Sequence, residues 1–178
     1  MKTESPLVLI AVDDSQASSW ALEVGVALAR RMNGSITLIH VVLPPTSRMG
    51  ESALDIDQDV LESIKAAGEA VLASALTRLP SGVRAKAVLR HGETGPTIVD
   101  QAREMGAGFV VVGSRGAGRL SHFILGSTAE LVIRLSPCPV VTVSHNPSVG
   151  RTAATGTSAA GLVERQTGEV GCEARVSP

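Results

Sequence analysis

The feature that most constrains this chain is the regular return of short apolar runs. "LVLIAVD" (Leu7–Asp13), "SITLIHVV" (Ser35–Val42), "VRAKAVLRHG" (Val83–Gly92), "FVVVG" (Phe109–Gly113) and "CPVVTVS" (Cys138–Ser144) are separated by stretches with helical spacing. The runs at 7–13, 35–42 and 109–113 are continuously Val, Ile and Leu, the pattern of strands covered on both faces. The run at 83–92 alternates in its first half, as a half-covered edge strand would. Between the runs, Ser15 is placed to cap a first helix carrying Trp20, Ala21, Val24, Ala27, Leu28 and Arg31, which Asn33-Gly34 ends. Leu61, Ile64, Ala67, Gly68, Val71, Leu72, Ala75 and Leu76 form the inward stripe of a second helix, stopped by Pro80 and Gly82. Thr94 and Pro96 open a third helix that Gly106 and Gly108 close, and a fourth starts near Ser127.

The order βαβαβαβαβ predicts an α/β fold: a single Rossmann-like, open, five-stranded parallel sheet with helices on both faces. Such sheets bind ligands beyond the carboxyl ends of their strands, where the strand order reverses. The polar and glycine-rich positions fall at those ends: Asp13-Asp14-Ser15, His91-Gly92-Glu93 and Gly113-Ser114-Arg115-Gly116. Thr46–Asp59 is polar and patternless and reads as a loop. From Asn146 onward Gly, Ala, Ser and Thr dominate without an apolar period. The expectation is one folded domain over 1–145 and a low-complexity, flexible tail over 146–178.

Composition narrows the function. Hydrophobic residues make up 44% of the 178 and charged ones 19%, which suits a packed core. A net charge of −1 offers no electrostatic footprint for nucleic acid or an anionic membrane. With no long apolar span and no N-terminal leader pattern, a cytoplasmic protein is expected. The two cysteines, Cys138 and Cys172, stand far apart, so neither zinc nor a disulfide framework is expected. Aromatic residues are 2% of the chain, with no Tyr at all. A bound base would therefore lie between aliphatic side chains rather than on an aromatic platform.

The stretch "VVVGSRGAGRLSHFILGSTAE" (110–130) carries the spacing Gly113-x2-Gly116-x9-Gly126-Ser127. It is not a Walker loop, since no lysine follows Lys86, and "GSRGAG" is not a dinucleotide fingerprint. Two readings stand level on spacing alone. One is a strand-end turn followed by a capping box, Ser127-x-x-Glu130. The other is an anion site at a helix N-terminus, helped by Arg115 and Arg119. Asp13 is open in the same way, as a ribose or cation partner or as a helix-start residue. Found together at neighbouring strand ends, the two features favour a nucleotide. His40 lies inside an apolar strand and reads as a core residue; His91 and His122 read as surface residues. Glu93 is a weak candidate to hold Mg2+ through water. No Ser/His/Asp arrangement supports a hydrolase triad. A phospho-receiver domain fails for want of an aspartate after the third strand and a lysine after the fifth.

"VLIAVDDS", "ITLIHVV" and "VVVGSRGAGRLSHFILGSTAELVIRLSPCPVVTV" resemble the universal stress protein family in its ATP-binding branch. The resemblance covers roughly Ser5 to Ser144 and meets the family pattern G-x2-G-x9-G-[ST] without a gap. It implies that Ala11 and Val12 line the adenine, that Asp13 accepts from the ribose or adenine side, and that Val41 contacts the base. It implies Val112 as an apolar wall, and Gly113, Arg115, Gly116, Gly126, Ser127 and Thr128 as the wrapping of ribose and phosphates. Gly108 departs from the family's usual acidic residue before the fourth strand. ATP, with or without Mg2+, is the implied cofactor, and a homodimer through the fifth strand the implied assembly, with a further protein partner left open. The implied role is a regulatory module for stress response with slow or no hydrolysis. The alternative is a slow ATPase or an autophosphorylating enzyme, for which Ser114, Ser121, Ser127 and Thr128 are the acceptors on offer.

Overall fold

The computed structural model describes residues 5–43, 58–114 and 125–144, all within a unit running Met1–His145. Five strands, β1 (Leu7–Ala11), β2 (Ser35–Val42), β3 (Ala85–His91), β4 (Phe109–Gly113) and β5 (Val140–Val143), form one parallel sheet in the order β3-β2-β1-β4-β5. The helices α1 (Gln16–Arg31), α2 (Gln58–Thr77), α3 (Thr94–Glu104) and α4 (Ser127–Leu135) alternate with them. The chain steps outward from β1 to β3, then returns to the other side of β1 for β4 and β5. The reversal of strand order therefore lies between β1 and β4.

Strand side chains point alternately to the two faces, and both faces are dry. Val8, Ile10, Ile36, Leu38 and Val111 pack with Ala21 and Leu22 of α1 and Leu72 and Ala75 of α2. Leu9, Ile39, Val110 and Val112 pack with Ile98, Val99 and Ala102 of α3 and Ala129 and Val132 of α4. Each fully buried Val, Leu or Ile contributes about 1.5–3 kcal/mol, so these two layers carry the fold. The edge position of β3 agrees with its alternating sequence, and its burial is only partial.

The helices turn differently from what the apolar spacing suggested. The buried arc of α1 is Ser18, Ala21, Leu22, Gly25, Val26 and Ala29, while Val24 is exposed. In α2 only Gly68, Leu72 and Ala75 are buried; Leu61 and Leu76 face outward. Small residues let these helices lie close to the sheet, and Leu22, Val26 and Leu72 fill the contact between them. The helix stop after Asn33 occurs as read, with Asn33 in the left-handed region at φ 51. β1 ends at Ala11, two residues before its apolar run does.

Candidate functional site

β1 stops where other groups take over its backbone. Its ladder with β2 continues as far as the Val12 N–H, which donates to the Ile39 carbonyl at 2.9 Å. The Val12 carbonyl then accepts from Nδ1 of His40 at 2.7 Å. A carbonyl can only accept, so that ring nitrogen carries the proton. The Asp13 N–H donates to Ser18 Oγ at 2.8 Å, the Ser18 N–H to Ser15 Oγ at 3.1 Å, and the Ser15 N–H to Asp13 Oδ1 at 2.9 Å. Ser15 is thus the N-cap of α1, as its position in the sequence predicted. The same ring of bonds fixes Asp13 over the strand end, with only one of its two carboxylate oxygens engaged among the described residues.

The β4 side is held by backbone. The Ser114 N–H donates to the Val143 carbonyl, and the Ser114 carbonyl accepts from the Gly126 N–H, both at 2.8 Å. Ser114 and Gly126 are thereby joined above the ends of β4 and β5. Gly126 is the N-cap of α4 (φ −67, ψ 148), no side chain caps it, and its carbonyl accepts from the Glu130 N–H at 2.9 Å. The Ser127 capping box is not formed: Ser127 is the first helical residue and is exposed, one position too late to cap. Gly113 has a packing reason of its own. A Cβ there would lie 2.9 Å from the backbone carbon of Ala17 and 3.0 Å from its Cβ, so the first turn of α1 rests directly on the end of β4.

Between these two walls lies a cavity of about 90 Å3 at the carboxyl ends of β1, β2 and β4. A whole drug-sized ligand needs about 300–1,000 Å3, so this slot takes one ring system and anything longer extends past its rim. Ala11, Val12, Asp13, Val41, Val112, Gly113 and Thr128 line it, all of them positions singled out from the sequence. Gly126 and Ser127 do not line it, and Arg115 and Gly116 lie outside the described residues, as do Arg119, Ser121, His122 and the 46–57 part of the expected loop. Among the described residues the lining includes no Phe, Tyr or Trp. Sequence reasoning missed Ser18, Ile39, Thr94 and Ile98, and read Ser15 only as a cap and His40 only as a core residue. Ser18 stands three residues after the cap Ser15, and Thr94 and Ile98 stand one turn apart just after β3 ends; both spacings were legible signals.

Other polar candidates lie elsewhere. His91 and Glu93 are exposed and line no part of the cavity, and Glu93 precedes α3 without capping it. Among the described residues no three His, Cys, Asp or Glu side chains are grouped to hold a metal ion. No helix among them is long and apolar enough to cross a membrane. Cys138 is a half-buried free thiol.

A strand-order reversal, a carboxylate fixed over β1 and an uncapped helix beyond β4 are the geometry to set beside known proteins. The sequence model described as the universal stress protein family matches residues 7–144. The chain belongs to the universal stress protein family. Among universal stress proteins it is 32% identical over 146 residues to YxiE of Bacillus subtilis (strain 168), covering 76% of this chain and 97% of that one. A universal stress protein solved in complex with cAMP is similar in structure, with TM-score 0.57 and 23% identity, covering 79% of this chain and 98% of that one. A universal stress protein family protein from Arabidopsis thaliana, solved with AMP bound, gives TM-score 0.57 and 23% identity over 80% of this chain and 94% of its own. At that identity these two establish the fold.

Proposed function

We propose that this universal stress protein is an ATP-binding regulatory module that keeps its nucleotide with slow or no hydrolysis. The observation that carries the reading is the unpaired edge of β2 inside the slot. The Ile39 carbonyl points toward β1 and the Val42 carbonyl toward β3, since they accept from Val12 and Gly92. Backbone groups alternate in direction along a strand, so the N–H and C=O of Val41 face β1, which has already ended at Ala11. A donor and an acceptor side by side match the N1 and 6-amino group of adenine. The aliphatic walls from Ala11, Val12 and Val112 suit a flat base held without aromatic stacking. The relatives solved with cAMP and with AMP support the same ligand class.

Ribose hydroxyls would then meet the second oxygen of Asp13, and phosphates would leave the slot toward Thr128 and the first turn of α4. Backbone N–H groups and the helix dipole stabilise an anion there without a lysine. Arg115, Gly116, Gly126 and Ser127 complete the cradle in this proposal. Mg2+ would enter with the triphosphate, mostly in a shell of water and phosphate oxygens. No lysine follows Lys86 in the sequence and none lines the cavity among the described residues, which is why turnover is expected to be slow. The outer edge of β5 pairs with nothing among the described residues, and Ile133 and Leu135 of α4 are exposed. Pairing of two β5 edges would cover that edge and give a homodimer. A cytoplasmic location belongs to the same proposal.

Calorimetric titration tests the reading. ATP is expected to bind wild type with a micromolar Kd, about −8 kcal/mol, and Asp13→Ala and Gly116→Glu each at least about tenfold more weakly. Unchanged affinity in both variants would sink the site. Turnover of many per minute in the same samples would instead favour the enzyme.

A further inference from the structure

We propose that His40 is the positioning residue of the site: its imidazole ends the β1–β2 ladder one rung early and so keeps the Val41 edge open for a base. The inference rests on the nucleotide reading above and adds to it what makes that edge available. In a parallel ladder whose last rung is Val12 N–H to the Ile39 carbonyl, the next rung is Val41 N–H to the Val12 carbonyl. That rung is not made among the described residues. The Val12 oxygen accepts instead from Nδ1 of His40 at 2.7 Å, across a sequence separation of 28 residues.

The ring is held from its other edge as well. α2 passes so close at Gly68 that a Cβ there would stand 3.3 Å from Cδ2 of His40 and 2.9 Å from Cγ2 of Val42. Nδ1 and Cδ2 are the two ring atoms bonded to Cγ, so the imidazole is wedged between the end of β1 and the face of α2. Beyond it the Asp13 N–H goes to Ser18 Oγ and turns the chain toward α1. His40 takes the carbonyl and Ser18 the next amide, and together they peel β1 away from β2 where the slot opens. A histidine in an apolar strand serves packing and also decides which backbone groups remain for a ligand.

The test separates this inference from the nucleotide reading by using one measurement without ligand. In the ligand-free full chain, amide hydrogen exchange of Val41 is expected to be fast in wild type. In His40→Leu it should slow by about tenfold or more, because the vacated Val12 carbonyl can accept the Val41 N–H. His40→Asn, whose amide nitrogen falls near the Nδ1 position, should exchange like wild type. With ATP as the probe, His40→Leu is expected to bind about tenfold more weakly and His40→Asn within about threefold of wild type. The ratio of ATP to GTP affinity should fall in His40→Leu, since guanine presents the opposite donor–acceptor order to Val41.

A Val41 amide already protected in wild type would overturn the proposal. Equal loss of ATP and GTP binding in His40→Leu, with lowered Tm and no rescue by His40→Asn, would also overturn it, since that is the behaviour of a packing residue. Wild type that binds no nucleotide, with Val41 exchange still responding to His40→Leu, would refute the ligand while leaving the ladder-ending role standing.

Discussion

α1 and α4 both begin at the mouth of one cavity, yet their first turns are closed by different means. The α1 start is spent on the protein itself: Ser15 Oγ takes the Ser18 amide, Ser18 Oγ takes the Asp13 amide, and Asp13 takes the Ser15 amide. The α4 start has Gly126 at the cap, and no side chain caps it among the described residues. An N-terminus satisfied by its own side chains has little left for an anion, whereas an uncapped one presents its amides and dipole. The comparison assigns the two walls different work. The β1–α1 wall orients a carboxylate, and in the proposed nucleotide site the β4–α4 wall is the one that would meet phosphate.

The largest break in this contrast should come where the walls touch. Gly113→Val places a branched side chain against the backbone of Ala17, which cannot yield as a flexible side-chain tip would. A loss of about 3 kcal/mol is expected in urea unfolding. A loss below about 0.5 kcal/mol would mean that α1 does not rest on β4. Next in size is the carboxylate. Asp13→Asn keeps an acceptor for the Ser15 amide but removes the charge, so ATP affinity should drop about tenfold with a Tm near that of wild type. Asp13→Ala should lose both, and equal Tm values for the two variants would show that the ring of bonds around Asp13 contributes nothing to α1. Smaller again is Ser15→Ala, expected to cost about 1 kcal/mol of stability through the lost cap.

The fold was legible because strands buried on both faces announce themselves as unbroken apolar runs, and parallel connections leave few alternatives. Asp13 was legible for the related reason that such sheets bind ligands at strand ends, whereas Val112 came only from the family resemblance. The buried face of α1 was not. Its contact with the sheet is built from Ser18, Ala21, Gly25 and Ala29 as much as from Leu22 and Val26, and a search for large apolar residues tracks Trp20 and Val24 along its flank. The tie between His40 and Val12 was invisible for another reason: nothing local marks a hydrogen bond spanning 28 residues. Thr94 was read, with Pro96, only as a helix opening, and Ile98 was not singled out, because nothing local shows that α3 starts at the cavity.

Ser127 gives the smallest expected effect and the cleanest contrast with Ser15. Both serines precede or open a helix at the cavity mouth, and "STAE" looks from sequence like a capping box. A cap must sit outside the helix with its side chain turned back over the first amides. Ser15 does so, while Ser127 is already helical and Gly126 holds the cap position with extended backbone. Ser127→Ala should therefore change unfolding free energy by no more than about 0.3 kcal/mol, since alanine is the better helix former and no cap is lost. A hydroxyl that meets phosphate would show itself only with ligand, as a modest loss of ATP affinity of about threefold to fivefold. A stability loss of about 1 kcal/mol, equal to that of Ser15→Ala, would mean that Ser127 caps α4 after all. The two helix starts would then be alike, and the case for phosphate at α4 rather than α1 would lose its physical basis.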